Sequence, residues 1–174
     1  MFAHVTNVTI TGGILNATGQ YLWDCKKAGG HCPNGAKTLA VFNSDGVQIR
    51  GVTLYDSQMF HLAILGSSNV LMEDLTIKAA ESSPNTDGIH ISTSSHVNIT
   101  GKTVIGTGDD CVSLGPGSKN VWIENVIAGP GHGISIGSLG RENIEDSVEH
   151  IHVQNVHLEG TQNGVRIKTF ANNK

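Results

Sequence analysis

Four short polar clusters carry the side chains of this chain that are suited to chemistry. They are Asn85-Thr86-Asp87, Gly108-Asp109-Asp110, Gly131-His132-Gly133 and Arg166-Ile167-Lys168, and each opens or lies within a strand-like segment. Asp87, Asp110 and His132 follow one another at steps of 23 and 22 residues. Because a regular step along a coiled chain places equivalent residues side by side, we expect carboxylates, one imidazole and two cations to converge on one patch.

The carboxylates of Asp87, Asp109 and Asp110 indicate acid–base chemistry. Two ionised carboxylates ~5 Å apart repel by roughly 3 kcal/mol at an effective dielectric constant near 20, which corresponds to about two pKa units. We therefore expect one member of the cluster to hold a proton near neutral pH. A protonated acid beside ionised ones is the arrangement that acid–base cleavage of a glycosidic bond requires, and His132 is able to orient such an acid.

Each cluster also has a structural interpretation. Asp-Gly and Asn-Thr-Asp sequences are common turn formers, and Gly131 and Gly133 would suit a tight corner. Carboxylate oxygens in a cluster also suit calcium or another hard cation. Three carboxylates, an imidazole, an arginine and a lysine on one face favour the catalytic interpretation, with metal binding as the main alternative.

Two series of short apolar segments repeat along the chain. The first comprises LAV (39–41), LAI (62–64), IHI (89–91), VSL (112–114), ISI (134–136) and VRI (165–167). The second comprises VQIRGVTL (47–54), VLMEDLTI (70–77), VNITGKTV (97–104), VWIENVIA (121–128) and IHVQNVHL (151–158). Alternating apolar and polar residues are typical of strands. The number of residues between successive members changes in parallel in the two series, as it must if each repeat is one structural coil.

The repeats predict a solenoid, because one coil cannot bury its apolar face alone whereas stacked coils bury a continuous core. We predict an all-β fold, a single-stranded right-handed parallel β-helix that forms one partial catalytic domain over residues 1–174. A leucine-rich-repeat horseshoe would need a leucine–asparagine spacing and a helical half-repeat, and a β-sandwich would not keep two strand series in register. Neither end of the pattern shows a polar or helical cap, so we expect a solenoid that is incomplete at both ends.

The alignment of the repeats predicts which side chains share a face. Adjacent coils are spaced ~4.8 Å apart. Arg166 aligns with three outward positions on the preceding coils, namely His90, Ser113 and Ser135. Lys168 follows Arg166 by two residues, so it belongs to the same face.

The direction of Asp87 and Asp110 does not follow from alternation. They share parity with Ile89 and Val112, which alternation turns inward. Both aspartates lie at the entry to a strand, where the chain bends. We therefore predict that they point outward, toward the other polar residues.

The composition limits the partners of the chain. Its formal charge is −4 at pH 7 and it has no run of lysine or arginine, which is unsuited to general nucleic-acid binding. No apolar stretch approaches the ~20 residues of a membrane span, and residues 1–10 lack the basic and apolar regions of a signal peptide. An acidic polymer would need a local cationic spot, for which Arg166 and Lys168 are the candidates.

The three cysteines leave one without an internal partner. Cys25 and Cys32 bracket a glycine-rich loop and suit a local disulfide in an oxidising compartment. A zinc site of Cys25, His31 and Cys32 is the alternative, and it is weaker because no matching second half is present.

Four ordered motifs resemble the signature of one enzyme family. The stretches SPNTDGIHI (83–91), GTGDDCVSLG (106–115), GPGHGISIGSLG (129–140) and GVRIK (164–168) are similar to those of the polygalacturonases of glycoside hydrolase family 28, above all the plant branch. The resemblance extends over essentially the whole chain, including the segment at 23–26. It implies a glycosidase that hydrolyses α-1,4-linked galacturonic acid in pectin, with inversion at the anomeric carbon and with neither a cofactor nor a metal.

The resemblance also implies catalytic roles. Asp109 would be the general acid, and Asp87 and Asp110 would activate the attacking water. His132 would sustain the protonation of the acid. An inverting pair needs roughly 6.5–9.5 Å between acid and base to admit that water.

Substrate binding is implied for three further residues. Arg166 and Lys168 would hold a galacturonate carboxylate by charge-assisted hydrogen bonds, and Asn85 would contact the substrate. The implied partner is pectin or polygalacturonic acid, bound by a monomer that contacts neither nucleic acid nor a membrane. The resemblance places the protein outside the cell, secreted into the cell wall.

Two positions depart from the family pattern. The cysteine after the Asp-Asp pair usually bonds to one just before Gly-Pro-Gly-His-Gly, where this chain has Ala128, so Cys111 lacks the implied partner. The active-site tyrosine of the family lies beyond the Arg-x-Lys motif, and Tyr21 and Tyr55 come too early to supply it. A catalytically inactive pectin-binding remnant is therefore one alternative, and a calcium-dependent pectate lyase, which shares the architecture, is another.

Overall fold

The computed structural model describes residues 1–141 and 147–171, and there the chain winds into a solenoid of short strands. In chain order the elements are β1 (Phe2–Ala3), β2 (Thr9–Thr11), β3 (Ile14–Asn16), α1 (Gln20–Lys27), β4 (Leu39–Phe42), β5 (Gln48–Arg50), β6 (Thr53–Tyr55), β7 (Leu62–Leu65), β8 (Ser68–Glu73), β9 (Thr76–Lys78), β10 (Ile89–Ser92), β11 (Ser95–Thr100), β12 (Thr103–Gly106), β13 (Val112–Leu114), β14 (Lys119–Glu124), β15 (Val126–Ala128), β16 (Ile134–Leu139), β17 (Glu149–Gln154), β18 (His157–Leu158) and β19 (Val165–Thr169).

Three sheets form the walls of the solenoid over the described residues. Sheet A has the order β1-β4-β7-β10-β13-β16-β19, sheet B the order β17-β14-β11-β8-β5-β2, and sheet C the order β18-β15-β12-β9-β6-β3. Each strand therefore pairs with its equivalent one coil away, and the pairing is parallel in all three sheets. The prediction of an all-β parallel β-helix is confirmed.

Each segment of the second repeat series contains two strands, one of sheet B and one of sheet C. The bends between sheet B and sheet C occur at residues with φ angles of 51° to 75°, namely Gly51, Asp74, Gly101, Asn125 and Asn155. Glycine, asparagine and aspartate are the residues that tolerate this left-handed conformation best. A single such residue turns the chain from one sheet to the next, so the two strands look like one continuous segment in the sequence.

Aliphatic side chains stacked in register fill the interior. In sheet A, equivalent positions on successive strands are occupied by Leu39, Leu62, Ile89, Val112 and Ile134, all at most 5% exposed. Full burial of one such side chain contributes ~1.5–3 kcal/mol. The same register decides which outward-facing residues are neighbours, and thereby positions the polar clusters.

The helix α1 lies between β3 and β4 and was not predicted from the repeat pattern. Its Leu22 and Trp23 are buried, and Trp23 Nε1 donates a 3.0 Å hydrogen bond to the carbonyl of Ser57. Eight residues are too few for a stable isolated helix, so α1 depends on tertiary packing that the local sequence does not reveal. Within residues 1–141 and 147–171, no helix has the length and apolar character needed to cross a bilayer.

A disulfide between Cys25 and Cys32 joins the end of α1 to the following loop. The alternative zinc site of Cys25, His31 and Cys32 is therefore wrong, because a metal takes thiolate sulfurs and both sulfurs are bonded to each other. Cys111 is a free buried thiol. Ala128, at the position implied for its partner, is buried in β15.

Candidate active site

The register of sheet A brings the entries of three successive strands together. The first core residues of β10, β13 and β16 are paired in one row. Asp87, Asp110 and His132 each precede that row by two residues, so they lie at equivalent positions on three adjacent coils. The next coil adds Arg166, which pairs with Ser135. The structure thus brings together the residues that the repeat spacing placed side by side.

Asp87 and Asp110 face the outer side of sheet A, as expected from their place at the strand entry. Their carboxylates accept hydrogen bonds from Ser113 and Ser135, which project away from the aliphatic core. Both aspartates are nevertheless buried, at 6% and 2% exposed. Neighbouring polar side chains cover them, not the core.

Asp110 is the centre of the charge network. Its Oδ1 accepts hydrogen bonds from Ser135 Oγ at 2.6 Å and Arg166 Nη2 at 2.7 Å, and its Oδ2 accepts one from Lys168 Nζ at 2.9 Å. Burial is the largest influence on the pKa of Asp110 and raises it, but the bonds from Lys168, Ser135 and Arg166 together hold that pKa below its ordinary value. Asp110 is therefore ionised, and it forms ion pairs with both Arg166 and Lys168.

Asp87 has the opposite electrostatic character. Burial raises its pKa to about 7, the hydrogen bond from Ser113 opposes the rise, and repulsion by Asp109 and Asp110 adds to it. The Ser113 Oγ–Asp87 Oδ2 distance is 2.6 Å. One carboxyl group of the cluster thus holds a proton near neutral pH, as predicted. Loss of solvation is the larger cause, whereas the sequence pattern pointed only to repulsion.

Asp109 and His132 are the solvent-facing members of the cluster, with side chains 21% and 30% exposed. His132 Nδ1 lies 3.0 Å from Asp109 Oδ1 and 3.9 Å from Asp110 Oδ1. The backbone N–H of His132 donates to the Asp109 carbonyl at 2.8 Å, and the backbone N–H of Asp110 donates to Asp109 Oδ1 at 2.8 Å. These contacts hold the Asp109 carboxyl group at the mouth of the site with one oxygen directed toward His132.

Ser113 and Ser135 belong to the site, although they were identified from the sequence only as members of an aligned outward row. Each serine donates a hydrogen bond to the aspartate at the strand entry of the preceding coil: Ser113 to Asp87, and Ser135 to Asp110. The two sequence separations, 26 and 25 residues, are each one coil (23 and 22 residues) plus three residues. This recurring aspartate–serine spacing was the signal available in the sequence.

His61 is a second residue that the sequence did not identify. Its backbone N–H and its Nδ1 both contact the carbonyl oxygen of Asp87, at 2.8 and 3.1 Å. Its Nε2 accepts a 3.3 Å hydrogen bond from the Ser57 N–H, so Nδ1 carries the proton. The ring is fully buried, and burial lowers its pKa. A neutral His61 therefore fixes the backbone from which the Asp87 carboxyl group projects.

His90 continues the network away from the carboxylates. Its Nδ1 lies 2.8 Å from Ser113 Oγ, and its ring stacks on Phe60 with centroids 4.4 Å apart. Burial, with the nearby charge of Lys37, lowers the pKa of His90 to about 4. His90 is therefore neutral at ordinary pH, and the Ser113 hydroxyl links it to Asp87.

Asn85 occupies a different place from the carboxylates. It is exposed, adopts a φ of 57°, and lines a cavity of ≈640 Å³ together with Lys26 and Lys37. On the other side of the cluster, His132 lines a second cavity, of ≈290 Å³. The carboxylates thus lie between two open spaces along the face of sheet A.

The donor set disfavours a hard cation. Asp109, Asp110 and His132 offer ligand atoms within 4.8 Å of one another. However, Arg166 and Lys168 already contact both oxygens of Asp110, and a divalent ion there would be repelled by two positive charges. Calcium also prefers six to eight oxygen ligands, whereas this cluster supplies two carboxylates and an imidazole.

The fold and the polar cluster define a class: a parallel β-solenoid with carboxyl groups, an imidazole and two cations gathered on the outer face of one sheet. The family model described as glycosyl hydrolases family 28 matches residues 1–174. The chain belongs to that family.

Named relatives share this similarity at high identity. The chain is 51% identical over 170 residues to a polygalacturonase of Prunus persica, covering 97% of this chain and 43% of the relative. It is 49% identical over 162 residues to an exopolygalacturonase of Oenothera organensis, covering 91% and 44% respectively. The chain therefore spans less than half the length of these curated relatives.

Solved structures show the same solenoid. The polygalacturonase of Erwinia carotovora ssp. carotovora matches with a TM-score of 0.82 and 28% identity, over 96% of this chain and 47% of that one. The endo-xylogalacturonan hydrolase of Aspergillus tubingensis matches with a TM-score of 0.87 and 27% identity, over 100% and 50%.

Proposed function

We propose that this chain carries the catalytic site of a polygalacturonase, which hydrolyses α-1,4-galacturonosyl linkages of pectin with inversion and without a cofactor. The observation that carries the proposal is the electrostatic contrast within one cluster. Asp110 is held ionised by Arg166 and Lys168, the pKa of Asp87 is raised to about 7, and Asp109 faces solvent beside His132. Acid–base cleavage of a glycosidic bond needs carboxyl groups with such separate characters.

Asp109 is the general acid of the proposed reaction. It is the most accessible of the three carboxyl groups, and His132 Nδ1, 3.0 Å from Oδ1, orients it. The proton of Asp109 passes to the glycosidic oxygen as the bond to the anomeric carbon breaks. The leaving sugar departs as a neutral alcohol.

Asp87 and Asp110 activate water on the opposite side of the sugar. A water between them attacks the anomeric carbon and gives its proton to the ionised form of Asp87, which makes up about half of the population at its pKa of about 7 and more above it. Asp110 stays ionised because two cations hold it. After the products leave, Asp87 gives this proton to solvent and Asp109 takes one up, which restores both groups with no net gain or loss of protons.

The acidic substrate is bound by the same cations that hold Asp110. Arg166 and Lys168 are partly exposed, and their remaining N–H groups are free to contact a galacturonate carboxylate. Asn85 contacts a neighbouring sugar from the opposite side of the cluster. The relatives from Prunus persica and Oenothera organensis are a polygalacturonase and an exopolygalacturonase, which supports a polygalacturonate partner.

The proposed location is the cell wall, outside the cell, where a secreted monomer meets pectin. The Cys25–Cys32 disulfide supports an oxidising compartment. Residues 1–174 act as one partial catalytic domain of the solenoid.

The direct test is the release of reducing ends from polygalacturonate by the purified protein, with Asp109→Asn as the matched inactive variant. Hydrolysis that Asp109→Asn abolishes supports the proposal, and unchanged turnover in that variant contradicts the role of Asp109. Binding of oligogalacturonate without any hydrolysis by a folded chain would favour the alternative of a pectin-binding remnant. An unsaturated, ultraviolet-absorbing product that requires calcium would favour a lyase.

A further inference from the structure

A cavity of ≈640 Å³ lies between the Cys25–Cys32 loop and Asn85, which precedes Asp87 by two residues. Lys26 from α1 and Lys37 from the segment before β4 line it, and none of its lining residues carries a carboxylate. We infer that this cavity, which we name the lysine pocket after Lys26 and Lys37, binds the carboxylate of a further uronate unit of the polymer. The inference rests on the proposed function and adds a second anionic position to it.

Among the described residues, no carboxylate forms an ion pair with either lysine of the pocket. The whole chain is acidic, with a net charge of −4. Two uncompensated cations on one cavity wall therefore create a local positive potential, which attracts an anionic ligand.

The lysine pocket and the Arg166–Lys168 pair lie on opposite sides of the carboxylates. Lys37 precedes β4, which is two strands from β10 in sheet A, whereas Lys168 lies on β19, two strands beyond β13. At ~4.8 Å per strand, the coil of Lys37 lies ~10 Å from the coil of Asp87, whereas Lys168 Nζ contacts Asp110 Oδ2 directly, at 2.9 Å. A polyuronate bears a carboxylate on every sugar, so a chain lying across the site presents anions on both sides of the bond to be cleaved.

A series of neutral side chains in contact with one another connects the lysine pocket to the carboxylates. Lys37 Nζ lies 5.9 Å from the centre of the Phe60 ring, and Phe60 stacks on His90. His90 is within hydrogen-bonding distance of Ser113, which bonds Asp87. Phe60 and His90 are both partly exposed. A sugar chain can therefore pass over two neutral rings between the two charged positions.

The walls of the lysine pocket are in place before a ligand binds. The disulfide closes the loop, and the Ala36 N–H donates a 3.2 Å hydrogen bond to Gln58 Oε1. At Gly35 a Cβ would lie 2.5 Å from the carbonyl oxygen of Gln58, which shows how closely the loop packs there. A preformed wall lowers the conformational cost of binding.

The test measures binding by calorimetry in an Asp109→Asn background, in which the oligosaccharide is not consumed. Galacturonate oligomers from the dimer to the hexamer are titrated into the Asp109→Asn chain and into the same chain with Lys26→Ala and Lys37→Ala. We expect the two lysine changes to weaken hexamer binding about three- to ten-fold in Kd and to leave dimer binding unchanged. Lys26→Arg with Lys37→Arg keeps both charges and should retain hexamer affinity.

A matched control removes the same number of charges elsewhere. Lys78→Ala with Lys102→Ala changes two exposed lysines on the sheet C side and should leave hexamer binding unchanged. Equal hexamer affinity with and without Lys26 and Lys37 would overturn the lysine pocket and leave the proposed function standing. Absence of binding to any oligomer by the Asp109→Asn chain, when it is folded by circular dichroism, would instead contradict the proposed function.

Discussion

The hydroxyl of Ser113 donates a 2.6 Å hydrogen bond to Oδ2 of Asp87 across two adjacent coils. This bond joins the carboxyl group whose pKa is raised to about 7 to a residue of the next strand, and it limits that rise. Because the same Ser113 Oγ lies 2.8 Å from His90 Nδ1, the pKa of Asp87 depends on uncharged neighbours as well as on repulsion by Asp109 and Asp110. The electrostatics of the site therefore depend on side chains outside the acidic motifs.

Ser113→Ala should raise the pKa of Asp87 by about one unit, because a hydrogen bond that stabilises the ionised form is removed. If Asp87 is the base, the acidic limb of the kcat/KM profile against pH moves to higher pH by the same amount. Carboxyl-group NMR titration measures the pKa independently of activity. Ser95→Ala, on sheet B, is the control and should change neither quantity. A profile that does not move in Ser113→Ala, while the NMR pKa does, would exclude Asp87 as the base.

Asp87→Asn should stabilise the fold above neutral pH. The folded-state pKa of Asp87, about 7, lies above the ordinary value of 3.8, so the folded chain binds the extra proton between these values and loses stability as pH rises through that window. Removing the ionisable group should increase the free energy of unfolding at about pH 8 by up to about 4 kcal/mol and have little effect near pH 4. Thermal unfolding at both pH values measures this, and destabilisation at the higher pH would contradict the buried, neutral state of Asp87.

Asp110→Asn should have the opposite effect. The pKa of Asp110 is depressed, so its carboxylate stabilises the fold above its unfolded pKa, and that contribution is lost as pH falls through the folded value. Asn at this position leaves the cations of Arg166 and Lys168 without their anion, which should cost about 3 kcal/mol at neutral pH. The free energies of unfolding of the two chains, measured with denaturant, should converge as pH falls through the lowered pKa of Asp110. Equal stability at neutral pH would show that the charge network contributes nothing.

The Cys25–Cys32 disulfide should stabilise α1 and the loop that follows it. Cys25→Ser with Cys32→Ser should lower the free energy of unfolding by about 2 kcal/mol, because a short closed loop is released in the unfolded state. Hydrogen exchange should rise in residues 20–37. Cys111→Ala is the control, because it removes a cysteine that is not part of the disulfide. It should leave hydrogen exchange in residues 20–37 unchanged.

Divalent ions should not be needed for the proposed hydrolysis. Arg166 and Lys168 hold both oxygens of Asp110, so chelation with EDTA should leave the rate of reducing-end release within about two-fold of its untreated value. Restoration of a lost activity by calcium alone would contradict this prediction and revive the metal-dependent alternative.

The sequence by itself determined the solenoid and the neighbours within it. The recurrence of aliphatic residues such as Ile89, Val112 and Ile134 predicts stacked coils, because each coil must bury the same face on the next. Coil length then places Asp87, Asp110 and His132 side by side, and the observed register agrees.

Only the tertiary structure decided the electrostatics and the irregular parts. The pKa of Asp87 depends chiefly on how much solvent its neighbours exclude, and burial is a property of packing, not of local sequence. The helix α1 and the lysine pocket depend on contacts such as that of Trp23 with Ser57, which join residues of different coils. Gly51, at a bend, separates two strands that share the same alternation of apolar and polar residues. The sequence therefore shows two repeat series, whereas the backbone bend divides the second series between two sheets.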